Sequence, residues 1–496
     1  MKKNSKTIHY SAIPIACCIG MIFAFVFLLI FGVFKIDSIA LILLIPIFVL
    51  FSLIFKGFFR LLFSFLLGVS LGYIRGQAYY LGISSASLPQ KQEVTVEAKV
   101  DSDPTIKNGT LRFESSNLKL NNTTINCPTY FSLAPSDINI SKSDLVLVKG
   151  KNSGAFGKYC AFFNKPEVLI ISKPDPPDLF IEFRDWFSMR LIEIIDGKDS
   201  RVSEMSALGL GYLTGQKRYI SEDFNESLRR AGLSHIVVAS GFHLAIVAGL
   251  ARKYFYKISR FATLLGAGLL IFAFVSITGL TASMFRAAFL TLISLFAWYF
   301  GRKIHPMRAV LYVAALSLLI NPGYISDLAW QLSFSSYLGI IFLTPLLLDY
   351  FYGKDSPNFI ASTCIQSVSA QLLCLPISIY NFGAFSIVGL VSNLLIPSTI
   401  PVAMLLSLLS VFFSWIPIIS QALAFFTKVI LGLHVYIIET LSKISWSSTE
   451  TESGNPKVFL LYLVPLAIFL LLRLITKHSF HPYRPAKLAS TQLEKS

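Results

Sequence analysis

Charge is what this sequence has least of. Only 14% of its 496 residues are Asp, Glu, Lys or Arg, against roughly 25% in a soluble domain, and a soluble globule could not cover its surface with so few. Acidic residues are the scarcer sign, 27 against 43 basic. Histidine is sparse too: His9, His235, His243, His305, His434, His478 and His481 form no His-x-His-x-Asp-His run or other metal-ligand spacing. These shortages exclude the soluble enzyme classes, and neither a metal nor a cofactor is expected. What is present instead is apolar: 54% hydrophobic residues, including 43 Phe. Apolar runs of about 18 residues or more recur, the length that a hydrocarbon core of about 30 Å demands of a helix. The chain therefore reads as a polytopic α-helical membrane protein. Its net charge of +16 would suggest nucleic acid or acidic partners in a soluble protein. In a membrane protein it also reports topology, because short cytoplasmic loops collect Lys and Arg.

Four regions follow. Residues 1–80 hold apolar runs at 10–34, 39–55 and 58–73 after a start with three Lys. The first run is too long for a signal peptide and no small-residue cleavage site follows it, so it reads as a retained helix with a cytoplasmic N-terminus. Lys56 and Arg60 then lie inside, and the next segment outside. In that segment, 90–178, short alternating runs such as 94–100 and 144–149 are separated by Asn-Gly, Asn-Asn and Pro signals. Four to six strands suggest a small inserted barrel or sandwich, with a five-stranded oligonucleotide/oligosaccharide-binding (OB-like) β-barrel as the expected type. Cys127 and Cys160 fall here, where an oxidising compartment favours a bridge; two unrelated buried thiols are the alternative. Pro174, Pro176 and Pro177 make a stiff exit.

The main membrane region, 200–475, opens with a helix predicted over 221–232: Ser221 as N-cap, acids in the first turn, Arg229 and Arg230 in the last, and Gly232 after it. It is expected to lie against the membrane. Nine apolar runs follow, near 232–250, 262–280, 283–300, 308–320, 328–350, 357–380, 390–413, 419–441 and 457–474, giving about twelve crossings in all. The stretch from 383 to 415 allows one helix, two, or a re-entrant loop. Basic loops around Arg252 and Arg302, and the basic tail 476–496, place the C-terminus in the cytoplasm too.

Polar residues inside apolar runs need a reason. The densest cluster is Gly232-Leu-Ser-His235-Ile-Val-Val-Ala-Ser240-Gly241-Phe-His243. Glycines there permit close helix approach or local unwinding. Thr278-Gly279, Ser283 and Arg286 come next, then Asp327, Gln331 and Ser333, with Asp327 and Gln331 on one helix face. Gln366, Gln371, Asn381 and Asn393 complete the set. A single Gln or Asn reads as interhelical glue worth about 0.6 kcal/mol, whereas His235 to His243 with Arg286 reads as a functional lining. A buried Arg needs a partner or water, and Asp327 is a candidate partner.

These segments closely resemble the ComEC family, the DNA-internalisation proteins of bacterial natural competence. The stretch 232–243 is similar to its Gly-Leu-x-His…Ser-Gly-Leu-His signature. Thr278-Gly279 with Ser283 and Arg286-Ala287, Asn321-Pro322 with Gln331-Leu332-Ser333-Phe334, and Cys374-Leu-Pro376 through Asn381-Phe-Gly383 and Asn393 to Pro397 follow in the family's order. Phe242 and Trp330 replace the usual Leu and Phe, and no metallo-β-lactamase-like segment follows the last run. The resemblance covers roughly 40–440. It implies a channel in the bacterial cytoplasmic membrane that conducts single-stranded DNA during natural transformation. His235, Ser240, Gly241, His243, Arg286, Asp327, Gln331 and Asn393 would line the path. It also implies a DNA receptor, a separate nuclease and a cytoplasmic translocation motor as partners, besides DNA and the bilayer.

Two other readings are weighed. A transporter of a small or lipid-linked solute accounts for the bundle but not for the β segment. An intramembrane serine hydrolase built on Ser240 and His243 lacks an orienting third residue and oxyanion donors. The segment 90–178 carries 11 basic and 10 acidic residues, so a strongly basic DNA groove is not expected there.

Overall fold

The computed structural model describes residues 12–476 apart from 33–37, 56, 86–91, 108–109, 121–122, 135–139, 155–158, 174–177, 199–200, 235–240, 354, 356, 387, 445–447 and 451–453. Three apolar helices come first: α1 (Ala12–Phe31), α2 (Ser38–Ile54) and α3 (Phe58–Ser85). Without a hydrophobic drive between helices in lipid, close packing must come from small side chains. Here Gly20 of α1 meets the Phe65 backbone, while Gly68 and Gly72 of α3 meet the backbones of Cys17 and Met21, and a Cβ at any of the three would overlap them. Arg75 of α3 then donates to the carbonyls of Leu319 (2.9 Å) and Ile320 (3.0 Å) at the end of a later helix. These are orphan acceptors that a helix C-terminus leaves open.

The β domain contains β1 (Glu93–Lys99), β2 (Thr105–Lys107), β3 (Thr110–Leu120), β4 (Thr123–Leu133), β5 (Leu145–Lys151), β6 (Ala161–Asn164) and β7 (Glu167–Ser172). Its ladder runs β6-β4-β3-β1-β5-β7, with β2 on β3. All pairings are antiparallel except β4 with β6. Alternation places Val96, Val146, Val148 and Phe113 in the core, and Phe113, Phe131 and Phe163 stack across three strands with centroids 4.8 and 5.1 Å apart. The described sheet is an open path and not the closed OB-like barrel expected. One isolated bridge, Asn152 with Phe163, ties the β6 edge back to the end of β5. Cys160 is disulfide-bonded, and its N–H donates to Pro128 O at 2.9 Å, beside Cys127, whose side chain lies outside the described residues.

Then come α4 (Leu179–Asp196), α5 (Glu204–Thr214), α6 (Glu222–Arg230), α7 (Gly241–Phe255), α8 (Arg260–Thr278), α9 (Ala282–Tyr299), α10 (Pro306–Ile320), α11 (Leu328–Tyr352) and α12 (Phe359–Phe382). The chain continues through a short strand pair, β8 (Ala384–Ser386) with β9 (Ser448–Glu450), and helices α13 (Gly389–Phe412), α14 (Pro417–Ser442) and α15 (Leu463–Thr476). Among the described residues nine helices are long and apolar enough to cross a membrane, and Leu41–Ile54 and Pro306–Ile320 are shorter apolar ones. The ambiguous stretch after 383 is largely a single helix, α13, with Pro397 and Pro401 inside it. The predicted helix after Ser221 forms as α6. Ser221 caps Phe224 N, and Gly232 at φ +73° closes it with Gly232 N to Arg229 O and Leu233 N to Leu228 O, the paired bonds of a Schellman end.

A buried ion-pair hub fastens the β domain to this bundle. Arg184 of α4 has no exposed side-chain surface; it bonds Asp103, between β1 and β2, at 2.8 Å and Asp185 at 3.2 Å. Gln216 also donates to Asp185 (3.1 Å) and accepts from Ser188 (2.7 Å). Lys142 of the β domain reaches over Gly279, where a Cβ would come within 2.6 Å of its Nζ. Burial pulls that amine below its ordinary value, with Asp103 acting in the opposite sense. Removing one partner of a buried pair strands the other charge. Asp103→Ala is therefore expected to destabilise the protein by about 3 kcal/mol, with Asp185 limiting the loss. The paired Asp103→Leu, Arg184→Met variant should recover part of it, Asp185 keeping Gln216 and Arg218 as partners, as read by thermal unfolding of the purified protein.

Candidate functional site

Four segments distant in sequence meet around one arginine. Gly232 lies against α13, where a Cβ would come within 2.8 Å of Gly389 Cα and 3.0 Å of Ser386. The contact is tied by Ser386 Oγ donating to Arg230 O (2.6 Å) and Ser392 Oγ donating to Ala231 O (2.5 Å). Gly241, which opens α7, presses on α9: a Cβ there would lie 2.8 Å from Ala287 Cβ and 3.4 Å from Arg286 Nη2. Arg286 in turn donates through Nε to Ser333 of α11 at 2.6 Å, and Ser333 donates on to Ser283 at 3.3 Å. Its guanidinium also stacks on Tyr337, 5.2 Å from the ring centroid. Cys374 of α12 meets the Leu332 carbonyl at 3.4 Å. Gly241, without a side chain, thus lets α7 close on the face of α9 that carries the arginine, while Gly232 lets the end of α6 close on the start of α13.

The expected lining residues divide accordingly. Gly241 and Arg286 are neighbours. His235 and Ser240 lie outside the described residues, in the segment that joins Gly232 to Gly241. His243 is fully buried one turn into α7, stacked on Tyr212 of α5 at 5.6 Å. Asn393 of α13 buries an Oδ1 that has no hydrogen-bond partner among the described residues, and Pro397 has no N–H to give the Asn393 carbonyl four residues back. Asp327 does not fill the partner role expected of it. Its carboxylate caps α11, accepting from Ala329 N (2.8 Å) and Trp330 N (3.1 Å), because a helix start leaves N–H groups to satisfy. Gln331 braces the same turn by donating to Ile325 O at 2.9 Å. Among the described residues no carboxylate pairs with Arg286, which leans on a hydroxyl and a ring.

Sequence reasoning missed a second polar group. Thr399 Oγ1 of α13 donates to Ile396 O (2.9 Å), so it accepts from His434 Nε2 of α14 at 2.7 Å. Nδ1 of His434 then accepts from Tyr212 at 3.3 Å. With the Thr399 hydroxyl proton given to Ile396 O, the arrangement suits a proton on Nε2 of the fully buried His434. The one signal for it was an ionisable residue midway along an apolar run of 26 residues. Among the described residues no group of three His, Cys, Asp or Glu is placed to hold a metal.

A bundle of apolar helices with an inserted β domain, whose polar segments converge on a cation lacking a carboxylate, defines a polytopic membrane protein with a built polar site. The chain belongs to the competence protein family, whose model matches residues 212–476. It is 26% identical over 284 residues to ComE operon protein 3 of Bacillus subtilis (strain 168), covering 53% of this chain and 34% of that protein. The matched part thus spans about a third of that curated relative's length. No solved structure matches the chain.

Thr399→Val would strand the His434 Nε2–H, at a cost of about 1–3 kcal/mol, whereas Thr399→Ser keeps the acceptor. Thermal unfolding should show a clear loss for the first variant and little for the second.

Proposed function

We propose that this protein takes part in DNA uptake during natural transformation by conducting a single strand of DNA across a bacterial cytoplasmic membrane. The observation that carries the reading is Arg286: a cation inside the bundle, braced by Ser333 and Tyr337, with no carboxylate paired to it among the described residues. A guanidinium has five N–H donors and a fork that matches phosphate. In a medium of low dielectric an uncompensated cation is costly, and a passing phosphate would lower that cost without staying. The unpartnered Asn393 Oδ1 and the Ser283–Ser333 pair offer polar groups in place of water, and Tyr337 offers a ring face on which a base can stack. The family membership and the likeness to ComE operon protein 3 support the same reading.

In this reading the nine long helices, with the shorter α2, α7 and α10, make twelve crossings. Positive-inside charge puts both termini in the cytoplasm and the β domain outside. There it serves as an external platform, held in place by a bridge between Cys127 and Cys160. The protein acts as a channel and not as an enzyme. A receptor that presents duplex, a separate nuclease that removes one strand, and a cytoplasmic motor are its partners.

Arg286→Ala combined with His235→Ala is expected to lower transformation frequency at least tenfold while leaving surface-bound DNA and protein level unchanged. Unaltered transformation at normal abundance would sink the reading. Peptide mapping without reductant should recover the Cys127 and Cys160 peptides joined; finding Cys127 alkylated as a free thiol refutes the bridge.

A further inference from the structure

Apart from the polar site lies a cavity of about 230 Å³ of a different kind, walled by α4, α5, α7, α8 and α13. Its lining is aliphatic and aromatic apart from Arg184 and Thr214. Arg184 marks the end nearest the β domain, where its charge is held by Asp103 and Asp185. From there the cavity runs along residues 270–277 of α8 and 401–408 of α13, eight residues each, or about 10 Å of helix rise. Both helices are long and apolar enough to cross a membrane. Water gains nothing in such a space, because an apolar cavity offers it no hydrogen bonds.

The cavity is not sealed from the side. Its lining residues Phe183, Leu250, Leu270, Leu405 and Leu408 keep 42–49% of their surface exposed, so it is continuous with the lipid-facing surfaces of α8 and α13. Above it α4 is too charged to cross, carrying Glu182, Arg184, Asp185, Arg190, Glu193 and Asp196 within 18 residues. Yet it exposes Leu179, Phe183, Trp186 and Met189, spaced as one helical stripe. Phe180 packs edge-on against Phe272 of α8, centroids 6.0 Å apart. A charged helix with an outward apolar stripe and a Trp suits the boundary between headgroups and acyl chains.

We infer that this cavity is a binding site for one acyl chain of a bilayer phospholipid, which enters between α8 and α13 beneath α4. The bound chain completes the packing of α4 on the bundle and so supports the arm that carries Arg184 and the β domain. The site is separate from the polar one, and the inference does not depend on DNA conduction.

The test uses the full chain in phosphatidylcholine vesicles doped with a phospholipid that carries a diazirine midway along one acyl chain. After illumination, adducts mapped by mass spectrometry should be enriched several-fold on 270–277 and 401–408 over the exposed Phe425, Phe426 and Val429 of α14. Ala273→Trp fills the cavity from α8, and Leu405→Trp fills it from α13. Each should abolish the enrichment while leaving the α14 adducts unchanged. Native mass spectrometry from detergent should show one phospholipid retained by the wild type and lost from either variant. Equal labelling of cavity and α14 in the wild type overturns the site, as does enrichment that survives both Trp variants in protein that elutes as a single species.

Discussion

A hydrocarbon interior gives a polar group no water to turn to, and that constraint orders nearly everything in this chain. Hydroxyls in the long helices mostly bond back onto their own helix, as Ser64 does to Arg60 O, Thr278 to Phe274 O and Thr291 to Ala287 O. Helix ends receive caps from Asp178, Ser203, Ser259, Thr281 and Asn358. Even a long-range contact such as Arg75 on the end of α10 follows the same requirement. Against that background, polar groups without ordinary partners stand out. Among the described residues Arg286, with no carboxylate paired to it, and Asn393 Oδ1, with no hydrogen-bond partner, are two of them, and Arg286 lies where α7, α9 and α11 meet.

Glycine makes that meeting possible. Gly232 lets the end of α6 rest on the start of α13, and Gly241 lets α7 rest on α9, with no room for a Cβ at either contact. Gly232 also holds a left-handed backbone that other residues adopt at a cost of about 1–2 kcal/mol. The same device recurs away from the site, where Gly339 of α11 meets the Ser369 backbone of α12. Small residues therefore serve two purposes here: they glue the bundle, and they set how closely the arginine is enclosed.

Charge is distributed by a separate logic. The excess of 16 positive charges is not concentrated in the β domain, which is close to neutral, and the site is built around a single Arg286. The strongest electrostatic structure, the Arg184 hub, is internally compensated by Asp103 and Asp185 and joins two parts of the fold. Compensated charge here holds parts together, whereas among the described residues Arg286 has only a hydroxyl and a ring beside it.

Much of this was legible in one dimension. Hydropathy gave the apolar helices because a bilayer fixes their length, and the Ser221 to Gly232 helix could be read from capping chemistry alone. Alternation and turn residues mark the β domain, Arg286 stands out because polarity is expensive in an apolar run, and Gly241 because glycine permits close helix approach. Other features could not be read there. Asp327 looked like a partner for Arg286, yet its carboxylate is taken by the N–H groups of its own helix, a choice that depends on the local turn. Tyr212 and His434 are 222 residues apart, and no spacing rule connects them. The order of the described strands depends on which edges meet. Which segments are apolar, where helices start and stop, and which residues need a partner are all legible in the chain, because those follow from local chemistry and the bilayer. Only the tertiary structure decided who the partners are, because contact between distant helices depends on how closely their backbones approach.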